Sequence, residues 1–538
     1  MDKTLIAGFH SGHDCSFGVL ENGIPQIHAE LERYIRLKEP IGDSLEFLFK
    51  EYDDFKNIKY FTTGIDLWHG GPHTRFPNTW KKMEDIVKKN DGKIVIVGHH
   101  QAHAANAFFS SNFEDALIIT IDGGGEEKEG NNVVSAHFTV WEGSGNKINR
   151  VDVLSDDGEK KATNIGGFWS RCTKDIFGLS AGYPKGHQAG TVMAMGALGN
   201  HKKYFKQFYE HLSSYNNNQN FDYQKYKELA SINENNKFDV AAALQRATEA
   251  RIKDLLSEYV GKSKKRNLCI SGGVSLNCVV AGKIYDWFEN EIDNIYADPI
   301  PYDAGLALGA PRYLWHHILD NPRITWEDNS SSYLGERHQE SLIKAEIFSR
   351  VTAGEIKISE ASDENVVDLL IDKKIVSVYG GGSESGRRAL GNRSILADPR
   401  HAETKDIVNE RVKHRQWFRP FAPSILREEV KNWFVRDIDS PYMSFAIKFL
   451  DEAKEKVPAV VHFNNTARLQ TVTKNDNEWY YGLIDTFFKK TGVPILLNTS
   501  FNDREPIVET PKDAINCFLG TQIDYLYFYE LGLLIERK

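Results

Sequence analysis

His99 and His103 stand four residues apart in GHHQAHAANAF (98–108). On a helix that spacing turns both imidazoles to one face, where they can share a metal ion. Two histidines do not fill a site. Asp122, at the end of the apolar run ALIITI (116–121), is a natural oxygen donor, and Asp303, which opens the glycine-rich turn of PYDAGLALGA, is another. Mixed imidazole and carboxylate ligands suit Fe(II), Mn(II) or Zn(II) better than calcium or magnesium. Taken alone, the spacing also fits a capped helix with surface histidines.

Three further groups could do chemistry. His13 precedes Asp14, and a histidine held by a carboxylate can take a proton from a hydroxyl near neutral pH. A turn histidine bonded to its own backbone fits as well. Gly123, Gly124 and Gly125, and again Gly272 and Gly273, follow apolar runs; their N–H groups could cradle phosphate, with Ser271 and Asn277 adding side-chain donors or acceptors. Plain turn glycines are the alternative for either group, but two such loops in one domain favour a nucleotide. The last group is basic. From Arg387 to Arg419 there are nine Lys/Arg and four Asp/Glu, within a chain of net charge −9. Arg388, Arg393, Lys413 and Arg419 lie among apolar residues, which suits guanidinium groups fixed by packing for bidentate capture of phosphate or carboxylate. Arg468, Ser500 and Asn502 could complete that anion site. An ion-pair network or an RNA-facing surface is the competing explanation.

The elements that must position these groups read as α/β. TLIAGF (4–9) is a buried strand; SFGVL and PQIHAEL flank Asn22-Gly23, which favours a hairpin turn. ALIITI, NLCI (267–270), KIVSVY (374–379) and VPILL (493–497) are further strands, each ending in polar or glycine turns. Residues 240–259 carry apolar positions at helical spacing. Residues 213–236, rich in Asn, Tyr and Lys, read as a surface insertion, and 320–360 as polar and irregular with a domain boundary in the later part. The expected division is 1–350 and 351–538.

A chain of 538 residues calls for two or three domains, and 41% hydrophobic with 26% charged residues is ordinary for a globular protein. The net negative charge weighs against salt-driven binding to nucleic acid. Five cysteines without a C-x-x-C pair fit reduced thiols. No signal-peptide core and no bilayer-length apolar run is present, so a cytoplasmic setting is expected.

Nine stretches in series resemble the carbamoyltransferases of the nodulation, aminoglycoside and cephamycin type. They are HDCS (13–16), GHHQAHAANAFF (98–109), TIDGGGE (120–126), SGGVSLNC (271–278), DAGLALGA (303–310), RALGNRSILADPR (388–400), KHRQWFRPFAPSIL (413–426), TARLQTV (466–472) and LNTSFNDREPIVETPKDA (497–514). The resemblance implies an N-terminal domain of actin/sugar-kinase fold, like the universal tRNA threonylcarbamoyl-transfer proteins, followed by an α/β domain of the YrdC carbamoyl-adenylate synthase type. The second domain would make carbamoyl-adenylate from carbamoyl phosphate and ATP with release of pyrophosphate; the first would transfer the carbamoyl group to an alcohol and leave AMP. By the same resemblance His99, His103, Asp122 and Asp303 hold iron, which binds the adenylate phosphate as a Lewis acid. His13 is the base, and Arg388, Lys413, Arg419, Arg468, Ser500 and Asn502 bind carbamoyl phosphate and ATP, the latter with magnesium.

Two segments depart from the family pattern. Where G-R-x-E-F-G-P is common, this chain has Gly382, Ser385 and Arg387 in place of the Arg, Phe and Pro; residues 180–199 differ from E-G-K-x-M-G-L-A. Rival readings are a hydrogenase-maturation carbamoyltransferase, a sugar kinase and an RNA-binding protein of the tRNA-modifying kind. The acceptor hydroxyl stays open between natural-product or sugar alcohols and a hydroxymethyl group on a nucleobase or modified DNA. A homodimer would be compatible.

Overall fold

Short apolar runs ending in turn residues fold here into two sheets of one topology. The computed structural model describes residues 3–65, 71–215, 218–324, 330 and 332–538. The first sheet contains β1 (Leu5–His10), β2 (Ser16–Glu21), β3 (Ile24–Glu30), β4 (Ile58–Gly64) and β5 (Lys93–Val97), in the order β3-β2-β1-β4-β5. β2 runs antiparallel to β1 and β3, while β1, β4 and β5 are mutually parallel. Asn22 and Gly23 both have positive φ, as the expected tight hairpin requires.

The second sheet contains β6 (Asp115–Ile121), β7 (Glu126–Glu129), β8 (Asn132–Ser144), β9 (Lys147–Ser155), β10 (Asn267–Ser271) and β11 (Asn294–Ala297). Leaving aside the short β7, its order is β9-β8-β6-β10-β11, with β8 antiparallel to its neighbours and β6, β10 and β11 parallel. Strand for strand this repeats the first sheet. The duplication is the actin/sugar-kinase arrangement, and it places α1 (His99–Ser110) after the fifth strand of the first repeat.

α2 (Tyr223–Ile232) and α3 (Glu234–Val260) follow, then α4 (Cys278–Trp287), and α5 (Leu306–Arg312) after the fifth strand of the second repeat. α1 and α5 pack on each other. The stretch 213–236 is not simply a surface insertion: α2 packs on α3 and buries Tyr223, Tyr226 and Ala230. Residues 216–217 of that stretch, and Asn329 and Ser331 of the polar run before the boundary, lie outside the described residues.

The chain divides into compact units Met1–Ser331 and Ser332–Lys538, where the sequence suggested 350/351. The difference arises from α6 (Glu340–Thr352), which buries Ile343 and Ile347 and packs on the helix Pro511–Gly520 of the second unit. The region 320–360 is therefore not irregular throughout: it also holds β12 (Ile356–Glu360). The second unit is built on a nine-stranded mixed sheet with β13 (Val376–Tyr379), β14 (Arg393–Ala397), β15 (Ala422–Leu426), β16 (Phe445–Lys448), β17 (Thr466–Val472), β18 (Ile495–Ser500), β19 (Tyr525–Phe528) and β20 (Leu533–Arg537). Their order is β12-β20-β19-β13-β14-β18-β15-β17-β16. All five cysteines are buried. Among the described residues no helix is long and apolar enough to cross a membrane.

Candidate metal centre and anion site

The four residues singled out for a metal converge from equivalent places in the two repeats. His99 and His103 open the helix after β5, and Asp303 lies just ahead of the helix after β11. Asp122 stands in the turn after β6, and His13 and Asp14 in the corresponding turn after β1. The Asp303 segment is pinned on both sides by the first sheet. Tyr302 donates to Glu30 Oε2 at 2.7 Å, and the Ala304 carbonyl accepts from Ser16 Oγ at 3.0 Å and lies 2.9 Å from His28 Nε2. α1 is fixed at its start by buried Glu127, which accepts the Gln101 N–H at 3.0 Å, a favourable place for a negative charge.

The result is a buried cluster, not a helix with surface histidines. One ligand atom from each of His99, His103, Asp122 and Asp303 lies within 4.8 Å of every other. His103 Nε2 is 3.2 Å from His99 Nε2, 3.3 Å from Asp122 Oδ2 and 3.6 Å from Asp303 Oδ1; His99 Nε2 is 3.5 Å from Asp303 Oδ1. Four ligands held ~2.1 Å from one cation at tetrahedral angles are about 3.4 Å apart. The donor set and the short distances among these atoms therefore fit a transition-metal ion.

The charges agree with that fit. Burial pushes the Asp303 carboxyl up, but the charges of His99 and His13 and the His103 contact outweigh it and hold it well below the usual carboxylate range. Asp122 is likewise lowered, burial and the Asp303 charge being overcome by His103. Burial pulls the His103 imidazole down, yet bonds to Asp122 and Asp303 raise it to about 9.

His13 lines the same cluster from the solvent side. Its Nδ1 is 3.0 Å from Asp14 Oδ2 and its Nε2 is 3.5 Å from Asp303 Oδ2, while 59% of the side chain stays exposed. The Asp303 charge, then Asp14, push it up to about 10, a rise that solvent around so open a ring screens in part. Sequence reasoning passed over His10. Its ring is largely buried, with Nε2 3.0 Å from the His13 carbonyl and 3.6 Å from Asp303 Oδ2, and burial takes it down to about 4. The spacing His10-x-x-His13 was visible; that the strand end faced the cluster was not.

The glycine loops serve Asp122 first. Gly123 N–H donates to Asp122 Oδ1, and Gly273 N–H to Oδ2 at 2.7 Å, so these two N–H groups face the carboxylate. Gly125 has φ +152, and a Cβ there would fall 2.3 Å from the His99 ring; only glycine lets the chain pass over that histidine. Asn277 caps α4 and exchanges amide hydrogen bonds with Gln245 at 3.0 and 3.2 Å. Among the described residues, Ser271 Oγ is buried without a hydrogen-bond partner, and nothing lies within contact of a Cβ placed on Gly124.

In the second unit, Lys413 Nζ donates to Asn502 Oδ1 at 2.6 Å, to the Asn502 and Ser500 carbonyls at 2.8 Å, and reaches Ser500 Oγ at 3.3 Å. Arg419 and Arg468 lie close enough for Arg468 to help burial lower Arg419 to about 10. Arg415, which the sequence reading left out, joins them: burial and these two neighbours hold it well below the usual guanidinium range. It is fixed by Asn409 Oδ1 at 2.7 Å, the Pro420 carbonyl at 3.3 Å and the Phe421 ring. Neither Arg415 nor Arg419 meets a carboxylate among the described residues. Arginines gathered in this way are a plainer sign of a candidate anion site than composition is.

Arg393 is outside that group. It is fully buried, donates to the Gly380, Gly381 and Asn392 carbonyls, and lies 3.7 Å over the Tyr379 ring. Arg388 opens the loop 388–392, whose neighbouring Ala389 carbonyl is held by Asn498 Nδ2 at 3.1 Å and whose Leu390 carbonyl by Gln470 Nε2 at 3.1 Å. The loop is anchored from below by buried Glu384, whose Oε1 accepts the Leu390, Asn392 and Arg393 N–H groups at 2.7, 2.8 and 3.0 Å. The unusual Gly382 has a steric cause, since a Cβ there would fall 2.7 Å from the Tyr333 carbonyl. Ser385 Oγ accepts the Leu334 N–H in the same strap at 3.1 Å.

Residues 50–311 match the model for the carbamoyltransferase N-terminus and residues 367–534 that for the carbamoyltransferase C-terminus. Nodulation protein NolNO of Sinorhizobium fredii is 34% identical, over 96% of this chain and 78% of its own. Nodulation protein NolO of Bradyrhizobium diazoefficiens is 34% identical over 82% of this chain and 79% of its own. Among solved structures, HypF of T. kodakarensis aligns with 61% of this chain and 49% of its own at a TM-score of 0.38 and 14% identity.

Proposed function

The chain belongs to the carbamoyltransferase family, an enzyme family, and from that premise we propose that it is an ATP-dependent O-carbamoyltransferase acting on a small-molecule alcohol. Carbamoyl-adenylate carries only the α-phosphate of ATP. Water must therefore split carbamoyl phosphate into carbamate and inorganic phosphate; a carbamate oxygen then bonds to the α-phosphorus and pyrophosphate departs. In the second step an acceptor oxygen bonds to the carbamoyl carbon, the bond to AMP breaks, and a carbamate ester forms.

Arg388, Arg415, Arg419, Arg468 and Lys413 suit the first step, because charge on the phosphates grows as pyrophosphate separates. Ser500 and Asn502 hold the Lys413 ammonium, which in this reading faces that charge. The observation that carries the second step is the exposed His13 ring, bonded to Asp14 on one nitrogen and facing Asp303 of the ligand cluster with the other. His99, His103, Asp122 and Asp303 would hold Fe(II), with Mn(II) or Zn(II) as alternatives, and the ion would act as a Lewis acid on the adenylate phosphate. With a cation held there, the Asp303 charge that raises His13 would be offset, and His13 Nε2 would be able to take the acceptor proton. Asp14 then orients the ring.

Pyrophosphate release from ATP, followed with and without carbamoyl phosphate in Fe(II)-loaded protein, tests the reading. Release that depends on carbamoyl phosphate is expected. Its absence with every alcohol acceptor tried would remove the adenylation step from this protein.

A further inference from the structure

Beside the arginine cluster, two turns each hold an aromatic ring out into water. The turn Gln416–Arg419 is closed by the Arg419 N–H donating to the Gln416 carbonyl at 3.1 Å, with Trp417 at its tip. The turn at 462–466 is closed by the Asn465 N–H on the His462 carbonyl at 2.9 Å and the His462 N–H on the Thr466 carbonyl at 2.8 Å, with Phe463 at its tip. The tips meet edge to face, ring centroids 5.6 Å apart and planes at 82°. Trp417 is 50% exposed and Phe463 45%.

The same two segments carry the cations. The chain leaves Trp417 and reaches Arg419 two residues on; it leaves Phe463 and reaches Arg468 along β17. Arg419 and Arg468 are in mutual range, so rings and guanidiniums occupy one corner of the second unit. Two residues of chain span at most about 7 Å, comparable with the reach from base to phosphate within one nucleotide. A ligand meeting both features needs a flat π face at one end and several negative charges at the other. Among the reactants of the proposed function only ATP has both, and stacking on aromatic side chains is a general way of holding bases.

We propose that Trp417, braced edge to face by Phe463, is the platform on which the adenine of ATP stacks while Arg415, Arg419 and Arg468 hold its phosphates. This rests on the adenylation reading above. Because the base is held by ring contact, with Phe463 standing at 82° to the stacking ring, broad tolerance of other purine triphosphates is expected, and carbamoyl phosphate recognition is left to the cations.

The experiment follows pyrophosphate release by the full chain while ATP and carbamoyl phosphate are titrated separately. Trp417→Ala is expected to raise the KM for ATP on the order of 10-fold and leave that for carbamoyl phosphate unchanged, with Trp417→Phe close to the parent. An unchanged KM for ATP, or an equal rise for both substrates, overturns the platform. Should the parent release no pyrophosphate, the adenylation reading fails and the platform is judged separately by calorimetry with AMP and ribose 5-phosphate. AMP binding about 10-fold tighter, with the difference lost in Trp417→Ala, supports it; equal binding overturns it. If instead Trp417→Ala abolishes self-association with nucleotide binding intact, the rings belong to an interface between copies and the platform is wrong.

Discussion

His13 and Asp303 lie 3.5 Å apart, Nε2 to Oδ2, although the chain between them passes through both sheets. One carboxylate therefore serves the ligand cluster with one oxygen and the solvent-facing histidine with the other. The same carboxylate favours the protonated forms of His13 and His103.

Metal affinity should consequently rise with pH. His103 is raised to about 9, so it carries a proton throughout the neutral range and must lose it when a cation binds. Apparent affinity should climb about tenfold per pH unit for each proton displaced, levelling off above about pH 9. Calorimetric titration of metal at pH 7 in two buffers of different ionisation heat counts those protons, and a count of zero would sink the assignment. The sign for stability is opposite. A histidine raised from 6.5 to about 9 stabilises the metal-free fold fully below pH 6.5, and that contribution disappears as pH rises through 9. Thermal unfolding at pH 6 and pH 9.5 should show the loss without metal.

His13→Gln separates the two half-reactions. Carbamate ester formation should fall by about 10²–10⁴-fold, while pyrophosphate release dependent on carbamoyl phosphate continues. Both products are read in one reaction; parallel loss of both would remove His13 from the role of base.

Arg419→Met trades function for stability. The Arg419 guanidinium is desolvated beside Arg468 and meets no acidic partner among the described residues, so replacing it should abolish pyrophosphate release and stabilise the ligand-free protein by about 1 kcal/mol. Denaturant unfolding in the absence of substrates measures the gain, and a clear loss of stability would mean that the repulsion is absent.

Glu384→Ala leaves three buried N–H groups without an acceptor at Leu390, Asn392 and Arg393. The cost should be about 2–4 kcal/mol. Hydrogen exchange at those three amides is expected to accelerate before any global change, and unchanged protection there would show that the loop is held by other means.

Local signals in the sequence were those set by a few neighbouring residues. Asn22-Gly23 fixes its hairpin, and the four-residue spacing of His99 and His103 fixes a shared helix face. That Asp122 and Asp303 complete the cluster could be suggested from strand ends, but their meeting depends on β6, β10 and β11 lying parallel, which no local pattern encodes. Composition misled where polar-looking residues are amphipathic: Tyr223 and Tyr226 bury their rings under α3 within a stretch rich in Asn and Lys. Arg415 and Glu384 escaped notice for another reason. Their significance lies in what surrounds them, an arginine without acids and a carboxylate under three amides, and neither is a property of spacing.

The repeated sheet has one more consequence. The turns after β1 and β6 are counterparts, and so are the entries to the helices after β5 and β11. One position of the repeat supplies His13 in the first copy and Asp122 in the second; the other supplies His99 and His103 in the first and Asp303 in the second. A single architectural module, used twice, has taken up different trades in its two copies. Neither half owns a complete centre, so a fragment that ends between the repeats inherits a histidine pair or a carboxylate pair, but no chemistry.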